Sequence, residues 1–154
     1  MAKAPSIVIR RAIHSDAGAL RDVVAAAYAG YAAQGIDLPP VADGLDVDIR
    51  DRIVWVAAEG DRVLGGLVLA MHDTHGHLMN VGVDPAAGGR GVGRALMDAA
   101  EAHVRNAGLA EMRLATHRDL TGNVALYEHL GWQVAGADGA RIFMVKRLSE
   151  PEGG

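Results

Sequence analysis

Cysteine is absent from the 154 residues, which excludes disulfides and thiolate chemistry. Absent too is any apolar run near the roughly 20 residues that a membrane-spanning helix needs. The opening MAKAPSIVIRRA carries one lysine and no apolar stretch ahead of a cleavage site, so no signal peptide is expected there. The expectation is a cytoplasmic protein with no membrane partner. Positive charge is not in excess either. The formal net charge is −4, which argues against bulk nucleic-acid binding. Lysine is scarce and the basic residues are nearly all arginine, which suits bidentate phosphate contacts and is equally ordinary surface usage. There is no internal repeat, low-complexity tract or linker. The length is that of one domain with room for a core. A single domain over residues 1–148 is expected, with a polar, Gly/Pro-containing tail at 149–154 read as disordered.

What is present falls into alternating elements. Residues 7–12 alternate weakly and read as a strand. Ser15 or Asp16 caps a helix running to about Ala27. Residues 28–51 carry Gly35, Pro39, Pro40 and Gly44 and read as irregular, with room for a short second helix. Residues 53–58 and 62–71 form strands about a Gly60-Asp61 turn. The second is nearly continuously apolar, as in a buried strand. A polar turn at 72–77 leads to a strand at 78–83. A helix follows from about Gly91 to Ala107, with Arg94, Asp98, Glu101 and Arg105 on a polar stripe and Leu96, Ala100, Val104 and Ala107 on a buried one. Gly108 closes it. Then come a strand at 112–117, a short helix over about 123–130 stopped by Gly131, and a hairpin of two strands, from Trp132 and from 140–148, about Asp138-Gly139. An antiparallel meander followed by a βαβ crossover implies a mixed α/β sheet.

The chemistry gathers in the segment Val81-Gly82-Val83-Asp84-Pro85-Ala86-Ala87-Gly88-Gly89-Arg90-Gly91-Val92-Gly93-Arg94. A strand feeds a glycine-dense turn, and the turn opens a helix. The start of a helix offers unpaired N–H groups and partial positive charge. Glycine lets an anion approach that backbone and permits positive φ. Together these make a phosphate cradle, to which Arg90 and Arg94 can add charge. A nucleotide P-loop would end in Gly-Lys-Ser/Thr, but Gly-Arg-Ala stands here. The dinucleotide fingerprint lacks its third glycine. A turn with no ligand is disfavoured, because five glycines cost strand and helix stability.

The pattern Val-x-Pro-x-x-x-Gly-x-Gly-Val-Gly-x-x-Leu closely resembles motif A of the GCN5-related N-acetyltransferases. The run Asn123-Val-Ala-Leu-Tyr127-Glu-His-Leu-Gly131-Trp132 resembles that family's motif B. Both stand in the family's order and at its usual separation, and the predicted elements match its fold over nearly the whole chain. The resemblance implies a GNAT-like fold, with a mostly antiparallel twisted sheet of about seven strands and about four helices. It implies acetyl-CoA as cosubstrate and no metal. By resemblance, backbone N–H groups from Gly88, Gly89, Arg90, Gly91, Val92, Gly93 and Arg94 hold the pyrophosphate. The pantetheine arm lies along Val81, Gly82 and Val83, with Gly82 marking a bulge or close approach. Two positions depart from the family. Gly88 stands where Gln or Arg is usual, which shifts weight onto Arg90 and Arg94. Leu120 stands where asparagine is frequent, seven residues before the tyrosine, and Asn123 is the nearest substitute.

Acetyl transfer needs a neutral amine, a donor for the tetrahedral oxyanion and a proton for the leaving thiolate. By resemblance, Tyr127 is that general acid, and a backbone N–H near Val83 is the oxyanion donor. A phenol with pKa of about 10 is protonated at neutral pH. On position alone, Tyr127 reads equally well as a packing residue. The base is open among His117, Asp119, His77, Asn80 and a water chain. The run His72-Asp-Thr-His75-Gly-His77 matches no standard zinc spacing and reads as a solvated turn. Tyr28, Tyr31, Gln34 and Trp55 could line an acceptor pocket or belong to the core. Asp43, Asp46, Asp48 and Asp51 could draw a cationic amine or form a solvated loop. The leading function is transfer of an acetyl group to a primary amine of a small molecule or peptide, by direct attack in a ternary complex. The alternative is a non-catalytic acyl-CoA sensor module. A homodimer is compatible with the sequence.

Overall fold

A computed structural model describes residues 6–33 and 44–148. Seven strands and four helices follow the order strand, two helices, three strands, helix, strand, helix, two strands. They are β1 Ile7–Arg11, α1 Ala17–Ala33, α2 Leu45–Asp51, β2 Ile53–Glu59, β3 Arg62–Met71, β4 Gly76–Val83, α3 Val92–Asn106, β5 Glu111–His117, α4 Thr121–His129, β6 Gln133–Asp138 and β7 Arg141–Arg147. The hydrogen-bonded strand order is β1-β2-β3-β4-β5-β7-β6. The mixed α/β sheet expected from the sequence is therefore present, with β5 parallel to β4 after the α3 crossover. The chain divides into two compact units, Met1–Leu69 with Asn80–Ala100, and Ala70–Met79 with Glu101–Gly154.

In the first unit, β1 and β2 pair antiparallel from Ile7–Glu59 to Arg11–Trp55. β3 pairs antiparallel with β2, with one extra β3 residue opposite Ala57/Ala58. Eight consecutive residues of β3, from Val63 to Ala70, are buried, as a strand covered on both faces requires. Leu20, Val23 and Val24 of α1 form a core with Leu45, Val54, Val56, Val63 and Val68. Two glycines let these layers meet. A Cβ on Gly66 would lie 2.2 Å from Leu20 Cδ1, and one on Gly65 would lie 2.8 Å from the Gly82 carbonyl oxygen.

The start of α1 differs from expectation. A 3-10 turn over His14–Asp16 precedes it, and the Asp16 carboxylate reaches back to accept the Ile13 N–H at 2.8 Å. Arg10 donates two further bonds to Asp16, at 2.8 and 3.0 Å. Asp16 thus acts inside the first turn, not as an isolated cap. The helix continues to Ala33, six residues beyond the expected Ala27. Alanine supplies half of that extension and favours helix, and Gly30 is carried within it at the usual cost of glycine in a helix.

In the second unit, β5 pairs with β7 from Glu111–Arg147 to His117–Arg141, and β7 pairs with β6. The β4–β5 register runs from Gly76–Met112 to Leu78–Leu114. The expected polar stripe of α3 needs two corrections. Glu101 is buried, at 8% exposure, because β7 supplies Lys146 Nζ at 2.9 Å and Arg105 stands 3.9 Å away. A charge can leave water when it is paired, and helical periodicity carries no sign of that partner. Ala107, expected on the buried stripe, lies beyond the helix end and is exposed. The final hairpin starts at Gln133. Trp132 precedes it and is buried at 2% exposure. The tail 149–154 lies outside the described residues.

Candidate functional site

The glycine-rich segment sits in the first unit, between β4 and α3. Asp84 ends β4, and its N–H donates to the Leu64 carbonyl of β3 at 2.8 Å. Its carboxylate accepts the Ala86 N–H at 2.9 Å. This caps a short 3-10 turn at Pro85–Ala87, whose first position is proline. Proline suits that position because its φ is preset and no N–H is needed there. The chain next passes Gly88 at φ −60° and ψ 150°. Gly89 and Gly91 take φ +80° and +74°, values that an L side chain rarely adopts. These two glycines are therefore required by the backbone itself. Val92 then starts α3, with Val92 and Leu96 buried and Arg94 exposed. Gly93 lies within α3. A Cβ there would stand 3.5 Å from Val83 Cγ2, an ordinary contact, so neither the backbone nor the packing demands glycine at this position.

Val81 and Val83 are half-buried, and Gly82 between them is buried. A Cβ on Gly82 would lie 3.4 Å from Val24 Cγ2 and 3.7 Å from Ala27 Cβ, ordinary contacts with α1.

Arg90 stands between the two left-handed glycines. Its guanidinium is engaged by Glu59, the last residue of β2, through Nη1–Oε1 at 3.3 Å and a shorter Nη2–Oε2 contact. The Arg90 hydrogen bond holds the Glu59 carboxyl below the usual carboxylate range. Sequence reasoning offered Arg90 to the anion and did not see Glu59, 31 residues earlier in the chain.

Tyr127 belongs to the second unit. It lies on α4 and is buried at 8% exposure, with its ring centroid 5.9 Å from that of Trp132. Its carbonyl accepts the N–H groups of Leu130 and Trp132, at 3.0 and 2.9 Å, which closes the helix at Gly131. Asn123 is half-buried in the first turn, with its N–H on the Leu120 carbonyl at 2.9 Å. Leu120 is buried.

The structure sorts the candidates for base and acceptor contacts. His117 Nδ1 accepts the Asp119 N–H at 3.1 Å. The neutral ring then carries its proton on Nε2, so that nitrogen donates and is no base while the bond stands. His72 stacks on His75 at 4.9 Å between centroids and meets His77 edge-on at 6.1 Å. Burial, with Arg113 and His72 beside it, pushes the His75 imidazole below its ordinary pKa. Among the described residues no cluster of three or more His, Asp or Glu is arranged to hold a metal. His77 belongs to β4, not to the turn. Tyr28 packs against the core of its unit. Trp55 is buried, with the Arg11 guanidinium 5.6 Å from its ring centroid. Tyr31's side chain, Gln34 and Asp43 lie outside the described residues. Two of the acidic residues around α2 are ion-paired with neighbouring arginines. Asp48 pairs with Arg52 at 3.3 Å and Asp51 with Arg50 at 2.9 Å.

Comparison with known proteins bears on this arrangement. Residues 25–132 match the acetyltransferase (GNAT) family. A mycothiol acetyltransferase of Geodermatophilus obscurus is 35% identical over 101 residues, covering 56% of this chain and 33% of that protein. One from a Nocardioides species is 31% identical over 157 residues, covering 88% of this chain and 53% of that protein. The chain spans about a third to a half of the length of these two curated relatives. A paia N-acetyltransferase from Thermoplasma acidophilum, solved in complex with coenzyme A, superposes with a TM-score of 0.80 at 24% identity, over 92% of this chain and 99% of that one. An acetyltransferase from Thermus thermophilus superposes with a TM-score of 0.76 at 17% identity, over 96% and 100%. Among the described residues no helix is long and apolar enough to cross a membrane.

Proposed function

The chain belongs to the acetyltransferase (GNAT) family, and from that premise we propose that it transfers the acetyl group of acetyl-CoA to a primary amine by direct attack. The observation that carries this reading is the turn after β4. Two left-handed glycines, Gly89 and Gly91, deliver the backbone to the start of α3, where N–H groups and the helix dipole favour an anion. In this reading the N–H groups from Gly88 to Arg94 hold the coenzyme pyrophosphate. Exposed Arg94 adds charge, and the pantetheine arm runs along Val81, Gly82 and Val83. Asn123 is assigned to the coenzyme side. The whole reaction belongs to a single domain over residues 1–148.

The chemistry runs in order. The neutral amine nitrogen attacks the thioester carbonyl, and a backbone N–H near Val83 stabilises the oxyanion. The C–S bond breaks as the oxyanion collapses. Tyr127 gives its phenolic proton to the departing thiolate sulfur, and the amine loses its surplus proton to water. The tautomer of His117 disfavours it as the base in that last step. The name of the curated relatives puts a small molecule first among acceptors to test, with peptide amines second. The assignment to the cytoplasm stays with this proposal.

The test is a panel of amines assayed for free thiol release from acetyl-CoA, followed by Tyr127→Phe on an accepted amine. The substitution keeps the ring against Trp132 and removes only the donor. Turnover should fall by about 10²-fold, the usual size of a general-acid contribution, while coenzyme affinity stays put. Unchanged turnover makes Tyr127 a packing residue. Tight coenzyme binding with no turnover on any amine favours the sensor module instead.

A further inference from the structure

Two ion pairs join the β2–β3 hairpin to the glycine-rich turn. Glu59 and Arg62 are opposite partners at the hairpin's end, separated by Gly60 and Asp61. Glu59 holds Arg90, late in the turn. Arg62 Nη2 holds Asp84 Oδ2, at the start of the turn, at 3.3 Å. The polarity reverses from one pair to the next, so neither partner of one pair suits the like-charged partner of the other. The Leu64 carbonyl adds a backbone bond to the Asp84 N–H. Between these anchors lie only five positions of chain, 85–89, which include Gly88 and Gly89. A segment this rich in glycine loses much conformational entropy when it is ordered, and preorganisation lowers that cost before a ligand arrives.

We propose that Glu59 and Arg62 are positioning residues for coenzyme binding, clamping both ends of the pyrophosphate turn from a hairpin outside the recognised motif. Arg90 then acts as a tether, with its guanidinium directed to Glu59 and its N–H left to the cradle. The depressed carboxyls of Glu59 and Asp84 agree with pairs that stay ionised at neutral pH. The inference rests on the reading of the turn as the coenzyme cradle.

Calorimetry with coenzyme A separates the two. If the unaltered protein fails to bind coenzyme A, the cradle reading fails and the clamp with it. If it binds, Glu59→Gln and Arg62→Gln should each weaken binding about 3- to 5-fold at low salt, the size an exposed ion pair supplies. The difference should shrink in high salt. Turnover at saturating coenzyme should change less than about 2-fold, since the loss is one of binding. Deuterium uptake in the peptide spanning 84–94 should rise, which a role in general stability would not confine to that peptide. The decisive variant exchanges the charges, Glu59→Arg with Arg90→Glu. Recovery of affinity in the exchanged pair supports a tether. An exchanged pair that binds more weakly than Glu59→Gln puts Arg90 on the phosphate itself and overturns the inference. Tighter binding by Glu59→Gln also overturns it, because Glu59 would then be competing with the coenzyme for Arg90.

Discussion

Asp16 shows how much one carboxylate can organise. It accepts the Ile13 N–H at the entry to α1 and two bonds from Arg10. Asp16→Ala removes both the capping-box bond to Ile13 and the bidentate pair with Arg10, which costs about 1–2 kcal/mol and lowers the melting temperature by roughly 3–6 °C in a chain of this size. The Arg10 hydrogen bond, then the Ile13 N–H, hold the carboxyl below the ordinary carboxylate range. A depressed carboxyl stabilises the fold above its unfolded pKa of about 4 and loses that contribution as pH falls through the folded value. The gap between Asp16→Ala and the unaltered protein should therefore be full at pH 7 and close at strongly acid pH. Thermal denaturation across pH checks this, and a gap that persists in acid would assign it to packing alone. The same scale shows what sequence can and cannot disclose. Gly89 and Gly91 were legible as turn glycines because their density is visible in one stretch of chain. Their difference from Gly88 and Gly93 was not, since only the backbone angles reveal which glycines the turn demands.

Among the elements, β3 was legible to its ends, because a nearly continuous apolar run bounded by Arg62 and the polar turn after Met71 leaves no ambiguity. The end of α1 was not, since Gly30 reads as a stop signal and yet the helix runs through it to Ala33. Glu101 was misread for a related reason. A helical stripe reports which face is polar, and Lys146, the partner that lets that residue be buried, is 45 positions away. The contact between β3 and β4 was equally hidden. Gly65 meets the Gly82 carbonyl so closely that a Cβ would stand 2.8 Å from it, with Val92 Cγ1 at 3.0 Å. Backbone cannot rotate aside as a side chain can. Gly65→Ala should thus cost about 1–3 kcal/mol by overpacking and weaken coenzyme A binding, because β4 must shift at the strand that feeds the turn. A chemical denaturation midpoint together with a calorimetric titration measures both. Full affinity in a destabilised variant would separate the strand contact from the cradle.

For the molecule as a whole, the sequence disclosed the element order and the family, both carried by patterns that survive without knowledge of partners. It did not disclose the division into two compact units, which depends on contact density. Nor did it disclose which of the acidic residues around α2 are paired, Asp48 with Arg52 and Asp51 with Arg50. Binding of coenzyme to the folded chain alone has a global signature. At a concentration 100-fold above its dissociation constant it should stabilise the fold by about 2.7 kcal/mol. A thermal shift series with coenzyme A, set beside inorganic pyrophosphate, reads this directly. No shift with either ligand would remove the cradle from the proposal.

The pairing of half-buried Lys146 with Glu101 also has a chemical consequence. Acetyl thioesters modify exposed, uncharged amines without a catalyst, so a protein that spends its life beside one risks acylating itself. The sequence has two lysines, Lys3 and Lys146. The second is drawn against the buried Glu101 carboxylate, with its stem over Gly131. An ammonium held in that pair has no lone pair to offer, and arginine, which replaces lysine nearly everywhere else, is a far poorer nucleophile at neutral pH. Among the described residues the fold thereby offers its own donor no unpaired lysine.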